Sequence, residues 1–476
     1  MRVGDNGRMT RHVTRATLLV CASTALAAAC ATATAPAVRT APATPPPLEL
    51  AALWDAERVS PPLSPLLDHP EVARRLSVLA EEAPDMFSVE QIGRSIEGRS
   101  INHVRFGRGP FVVLLWSQMH GDEPSATSAL FDLFEYFRRH RGDAVAGRIL
   151  DALTVHAVPM LNPDGAARFT RRNAQSIDVN RDALMLQTPE GRVLKALRDR
   201  LEPEIGFNLH NQNWRTSVGQ PPRPASISLL SVAFDEERSM NEGRLLTKQT
   251  CAVIRDALEP LAPGRIGRYD DEFEVRAFGD NVTKWGTPVV LIETGPWSAD
   301  RPDPALVRLN FVAILSALDA LATGRVHEAD PARYESLPMN ESRLFYMLVK
   351  NATVLGGAGV PPFTADIGVT ASRRVARQDG APAIEVSLRI DDLGDLRTFG
   401  ALETIDATGL VAAPLFGEGV LEPGREVSPP AWTAESPSAH TLEVGERAGI
   451  VLLRPTGVEG RYRVERVIQP TVVWRD

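Results

Sequence analysis

Cysteine is scarce in this chain, with three among 476 residues. Cys21 and Cys30 both fall inside the first 30 residues, so export processing leaves Cys251 as the single free thiol and excludes an intrachain disulfide. The helical spacing around Cys251, residues 246–258, gives it a buried packing role. Positive charge is also in deficit. Lys and Arg number 52 against 60 Asp and Glu, for a formal net charge of −8; loss of residues 1–29, with four arginines and Asp5, takes it to −11. That balance argues against nucleic acid or an anionic membrane surface as a partner. The apolar stretch at residues 16–29 is too short to cross a bilayer, which excludes a spanning N-terminal anchor.

What is present begins with an export signal. Arg2, Arg8, Arg11 and Arg15 precede and flank that apolar stretch, the pattern of a signal peptide over residues 1–30. Residues 26–30 (LAAAC) resemble a lipoprotein signal with Cys30 as the acylated residue, although the leucine stands four positions before the cysteine rather than three. Plain cleavage near Ala33 or Ala37 fits equally well. Both routes predict an exported chain, whether periplasmic, secreted or held at the membrane by a lipid on Cys30.

Residues 31–48 are rich in Ala, Thr and Pro and read as a semi-stiff linker. Apolar strands then alternate with helical spacing over residues 49–326. This predicts an α/β domain with a mixed, mostly parallel central sheet flanked by helices, among them 123–139, 189–201, 235–258 and 303–321. From residue 327 to 476 the texture changes to short strands punctuated by Gly, Pro and Asp, at 344–354, 365–371, 383–390, 400–405, 449–453 and 462–474. The expectation there is a β-rich, sandwich-like accessory domain.

Chemistry-bearing residues gather where the apolar runs end. Residues 111–116 (FVVLLW) lead into His120-Gly121-Asp122-Glu123, which offers an imidazole and a carboxylate, both good zinc ligands, three residues apart. Alone that pair is weak evidence. Residues 205–209 (IGFNL) deliver His210, however, and residues 288–292 (PVVLI) deliver Glu293, a carboxylate that is costly to bury unless something pairs with it. Asn162-Pro163-Asp164-Gly165, Arg171-Arg172-Asn173 and Asp178-Val179-Asn180-Arg181 lie between them. A single site assembled at one edge of a parallel sheet requires this kind of placement. His156, inside an apolar strand, reads instead as a satisfied core residue.

In order and rough spacing, these residues resemble the zinc carboxypeptidase family, the metallopeptidases related to pancreatic carboxypeptidase. The resemblance covers about residues 70–323 and includes an upstream segment at 92–101 (IGRSIEGRSI). It implies one zinc ion per chain held by His120, Glu123 and His210, lowering the pKa of its bound water towards about 7. It further implies Glu293 as general base, Arg171 (with Asn173 nearby) as oxyanion stabiliser, and Asn180 with Arg181 as the grip on a substrate carboxylate. By position, Tyr269 is the tyrosine that closes over the substrate. Asp280 falls near the specificity pocket, where it either selects basic side chains or orders its loop.

Three departures from the family pattern are visible: Asp182 after Asn180-Arg181, Asn211-Gln212 after His210, and Thr294-Gly295 after Glu293. Residues 48–83 are too short for the folded inhibitory segment of the digestive zymogens, so no zymogen is expected. The implied function is removal of C-terminal residues from peptides outside the cytoplasm. The same ligand set also serves a murein-peptide amidase or peptidase and an acyl-amino-acid deacylase. A non-catalytic binding protein on the same fold would be expected to lack a ligand or the base, and neither is missing.

Overall fold

The computed structural model describes residues 45–60, 67–299, 303–355, 360–378, 381–416, 421–428 and 442–474. The signal segment 1–30 and most of the linker 31–48 lie outside the described residues. Eight strands form a first sheet: β1 (Ser88–Arg94), β2 (Ser100–Gly107), β3 (Phe111–Ser117), β4 (Leu153–Val158), β5 (Ile205–Asn211), β6 (Ile227–Ser231), β7 (Ile266–Arg268) and β8 (Val289–Thr294). Their spatial order is β1-β2-β4-β3-β5-β8-β6-β7. The four central strands β4, β3, β5 and β8 run parallel, while β1, β2 and the β8–β6 pair add antiparallel neighbours.

The apolar runs have little polar alternation because these strands are covered on both faces. Val113 and Leu115 of β3, Phe207 and Leu209 of β5, and Val290 and Ile292 of β8 enter one core. Their alternates Leu114, Trp116, Val289 and Leu291 enter another. The first core is roofed by the helices Ser125–His140, Ala144–Ala152, Glu242–Leu258 and Asp303–Thr323, and Cys251 is buried in it. Pro304–Thr323 is long and apolar enough to cross a membrane by composition, yet 83% of its apolar window is buried, as befits a core helix.

Helix starts follow their caps more closely than the apolar spacing. The helix expected from residue 235 begins at Glu242 because Asn241 accepts the Arg244 amide. That expected from 123 begins at Ser125, just after Pro124. Pro189–Leu201 starts where Thr188 caps the Gly191 amide. Two N-terminal helices, Pro47–Glu57 and His69–Glu82, also pack into the first core, and Trp54 Nε1 donates to the buried Asp132 at 2.7 Å.

Strand order also explains where a site can form. The chain leaves β3 for β4 on one side, and β5 is then added on the other side of β3. The carboxyl ends of β3 and β5 therefore flank a topological switch point, the place where open α/β sheets leave a crevice. Tyr334 and Leu337, beyond residue 326, are still part of the first core.

The strands from Leu344–Val354 to Thr471–Trp474 form one nine-stranded sheet, eight of them along a single hydrogen-bonded path and Gly400–Asp406 off that path, paired with Leu344–Val354. Tyr462–Ile468 and Thr471–Trp474 are successive strands separated by Gln469-Pro470, but they pair with different regions of that path, Ile450–Pro455 and Ala381–Gly394. Proline cannot donate to a ladder, so the strand breaks there and the sheet wraps round its own apolar core. The described residues form a single unit, in which Arg215, in the loop after β5, pairs with Asp391 of the second sheet at 2.7 Å.

Candidate active site

Both histidines and Glu123 reach one point from different strands. His120 follows β3 in a loop that passes so close to the segment after β4 that a Cβ on Gly121 would lie 2.0 Å from the Gly165 carbonyl carbon. Only glycine fits there. That neighbouring segment is itself braced: the buried Asp164 accepts from Ser95 Oγ at 2.7 Å, the Glu97 amide at 3.0 Å and Arg99 Nη1 at 2.6 Å. The 92–101 motif thus buttresses the loop on which His120 rests. His210 is the penultimate residue of β5, and in the β5–β8 register it stands opposite Glu293.

His120 Nδ1 lies 2.8 Å from Glu123 Oε1, His210 Nδ1 lies 2.7 Å from Glu123 Oε2, and the two Nδ1 atoms are 3.1 Å apart. Asp178 Oδ1 sits 3.0 Å from His120 Nε2, which places the ring proton on Nε2 and leaves Nδ1 as a lone-pair donor. In a tetrahedral zinc site, with nitrogens about 2.0–2.1 Å from the ion, two ligand nitrogens are about 3.3 Å apart, close to the spacing seen here. The donor set fits zinc: two neutral-capable imidazoles, one carboxylate, and no fourth protein ligand among the described residues. The arrangement resembles an open catalytic site more than a closed structural one.

Electrostatics agree with a site made for a cation. Burial works to lower the His120 pKa, but Glu123 and Asp178 outweigh it and raise the value to about 9. Burial alone would raise the Glu123 and Asp178 pKa values, and their cationic neighbours bring both well below the usual carboxylate range. Burial lowers the His210 pKa, favouring the neutral ring that binds metal. Glu293 has an unpartnered Oε2, and burial followed by the Glu123 charge pushes its pKa up to about 8. A dication beside it would oppose both causes.

Of the two adjacent arginines, Arg171 reaches this cluster. Its Nε donates to Asp178 at 3.0 Å, and its Nη1 lies 3.0 Å from His120 Nδ1 and 3.2 Å from Glu123 Oε1. Arg172 turns away to the Ser176 carbonyl. Asn173 organises its own loop, accepting the Gln175 and Ile177 amides. Asn180 Oδ1 accepts the Phe278 amide at 2.9 Å, which fixes the turn that carries Arg181. Arg181 pairs through Nε with Glu274 at 3.4 Å. Tyr269 and Asp280 line the same cavity of about 670 Å³ as His120, Glu123, Arg171, Asn180, Arg181 and Glu293. The Glu293 charge, then burial, raises the Tyr269 pKa to about 12, so its hydroxyl keeps its proton. Asp280 both lines the cavity and accepts the Glu274 amide at 3.0 Å; burial pushes its pKa up to about 7. Of the other histidines, His103 and His156 hydrogen-bond each other at 2.8 Å on β2 and β4.

Residues 72–241 match the zinc carboxypeptidase family model. This stretch is similar to zinc carboxypeptidases. A stretch of 158 residues is 27% identical to carboxypeptidase 2 of Trichophyton tonsurans, covering 32% of this chain and 27% of that protein. Another of 140 residues is 29% identical to the human carboxypeptidase N catalytic chain, covering 25% of this chain and 30% of that protein. This chain thus spans under a third of the length of these curated relatives. A crystal structure of a metallo-carboxypeptidase from Burkholderia cenocepacia aligns with 53% of this chain and 69% of its own, at 20% identity and a TM-score of 0.42.

The matched stretch includes His120, Glu123, Arg171, Asn180, Arg181 and His210. The match ends before Tyr269 and Glu293, which come to the cavity after β7 and on β8. Two partners were not legible in the sequence. Asp178, read only as a neighbour of Arg181, orients His120. Asn211, read only as a departure from the family pattern, donates its backbone amide to Glu123 at 3.1 Å and its side chain to Ser125 at 2.7 Å. The change after His210 therefore ties β5 to the helix that begins beside Glu123.

Proposed function

We propose that this protein is an exported, zinc-dependent carboxypeptidase that removes C-terminal residues from peptides. The observation that carries this reading is one cavity lined by His120 and Glu123, the unpartnered Glu293 carboxylate and the Arg181 guanidinium, with His210 Nδ1 completing the donor set 2.7 Å from Glu123 Oε2. Zinc held by those three ligands would supply Lewis acidity and an acidified water. Glu293 takes the proton from the attacking water and passes it to the leaving amine. The water oxygen becomes bonded to the carbonyl carbon, the C–N bond breaks, and a new carboxyl terminus and a free amino acid remain. Arg171, held by Asp178, faces the carbonyl oxygen as it gains charge.

Arg181 receives the free α-carboxylate in a charge-assisted pair. Tyr269, with its proton retained, is a hydroxyl donor on the same wall. Asp280 favours a basic C-terminal side chain, whose charge would hold it ionised. Export rests on the N-terminal signal pattern, with Cys30 as the candidate lipid anchor.

Glu274 already engages Arg181, so an incoming carboxylate competes with it. An exposed pair of this kind is worth about 0.2–1 kcal/mol, so Glu274→Gln should lower KM by up to about fivefold with kcat unchanged. Arg181→Met should raise KM by roughly 10- to 100-fold, the loss of a charged hydrogen bond. Steady-state kinetics on one blocked dipeptide checks both.

The test of the function itself combines metal analysis with a C-terminal peptide library, using protein that lacks residues 1–30. One zinc per chain and stepwise trimming from the carboxyl end are expected. Bound zinc without trimming moves the substrate to murein peptides or acyl-amino acids, and absence of zinc favours a non-catalytic binding protein.

A further inference from the structure

A second cleft, of about 360 Å³, meets the first at Glu123 and Arg171. The two share Glu123, Arg171 and residues 211–213, and they diverge from there. Arg181, Tyr269 and Asp280 line only the first cavity; Trp214, Tyr346, Ala371, Leu402 and Trp474 line only the second. All but Trp214 of this second set belong to the β-rich sheet. That wall is tied to the catalytic domain: Trp214 Nε1 donates to the Ala371 carbonyl at 3.1 Å and packs edge-on against Tyr346, whose hydroxyl donates to the Ala299 carbonyl at 2.9 Å.

We propose that the β-rich domain is part of the substrate site, and that the second cleft holds the peptide segment preceding the scissile bond, with apolar side chains against Trp214 and Leu402. The proposal rests on the carboxypeptidase reading above. A peptide whose α-carboxylate lies on Arg181 and whose scissile carbonyl lies beside Arg171 must send its remaining residues away from the first cavity. The cleft that continues from Glu123 and Arg171 is lined by the second sheet. Its aromatic and aliphatic wall suits apolar residues in an extended chain, and it adds binding energy remote from the bond being cut. Binding energy of that kind raises turnover as well as affinity, so shortening the substrate costs kcat.

The test compares two N-acetylated substrates with the same C-terminal pair, a dipeptide and a pentapeptide with apolar residues at its first three positions. The zinc-loaded processed chain should prefer the pentapeptide in kcat/KM by about tenfold or more. Ala371→Arg, which fills the cleft, and Trp214→Ala, which removes a wall, should bring the pentapeptide down to the dipeptide rate and leave the dipeptide rate unchanged. Equal rates on the two substrates, or a preference that survives both variants, would overturn the proposal. Failure of the wild-type protein to cleave either substrate counts against the carboxypeptidase reading, and calorimetry then decides the cleft. The pentapeptide should bind wild type about tenfold or more tightly than Ala371→Arg, and equal affinities overturn the proposal.

Discussion

Glu293→Gln should lower kcat by roughly 10²–10⁴-fold, the usual contribution of a positioned general base, while zinc stays at one per chain. The substitution keeps the shape of the side chain at the end of β8 and leaves His120, Glu123 and His210 untouched. Nothing accepts or donates at Glu293 Oε2, so no protein hydrogen bond is lost there. What disappears is the capacity to take a proton.

Stability separates this chemical effect from misfolding. The Glu293 pKa rises from 4.5 to about 8 in the metal-free protein, because burial and the Glu123 charge both oppose ionisation. The folded state then holds this proton more tightly than the unfolded chain does. Metal-free wild type should therefore lose stability as the pH climbs from 4.5 through about 8, and Glu293→Gln should remove that part of the loss. Thermal melts of both proteins without metal, taken at intervals across that range, read the difference. Activity within tenfold of wild type would remove Glu293 from the role of base.

The candidate ligands were legible because each follows an apolar run, and a polar group at the end of a buried strand needs a reason to be there. Pairings across long sequence separations were hidden. Asp178 lies 58 residues from His120, and no local pattern signals that it holds the far side of that ring. Likewise, strand lengths reveal that a sheet exists but not that β4 and β5 are added on opposite sides of β3, which places the crevice. In the β-rich half, the strand at 344–354 is legible as an apolar run between turn residues, whereas 462–474 reads as one strand. Pro470 divides it and lets the sheet wrap. The contribution of Tyr346 and Leu402 to a cleft beside Glu123 needed the two sheets in place together.

His210→Ala should leave the protein without stoichiometric zinc and reduce hydrolysis to background, the largest loss expected of any single substitution here. Three protein ligands are the minimum of a catalytic zinc site, and two rarely hold the ion against solvent and chelators. Asp178→Asn makes the informative comparison. It keeps all three ligand atoms and weakens the hydrogen bond that orients His120, together with the ion pair to Arg171, so metal affinity should fall by about 10- to 100-fold and be recovered at higher free zinc. His210→Ala should not be recovered over the same zinc range. Competition with a chromogenic chelator measures both constants without reference to activity. Equal zinc affinities for the two variants would mean that His210 is a bystander and that His120 and Glu123 hold the ion with some other partner. A graded loss, partial and recoverable for Asp178→Asn and complete for His210→Ala, follows if the ion sits where the two Nδ1 atoms and the Glu123 carboxylate meet.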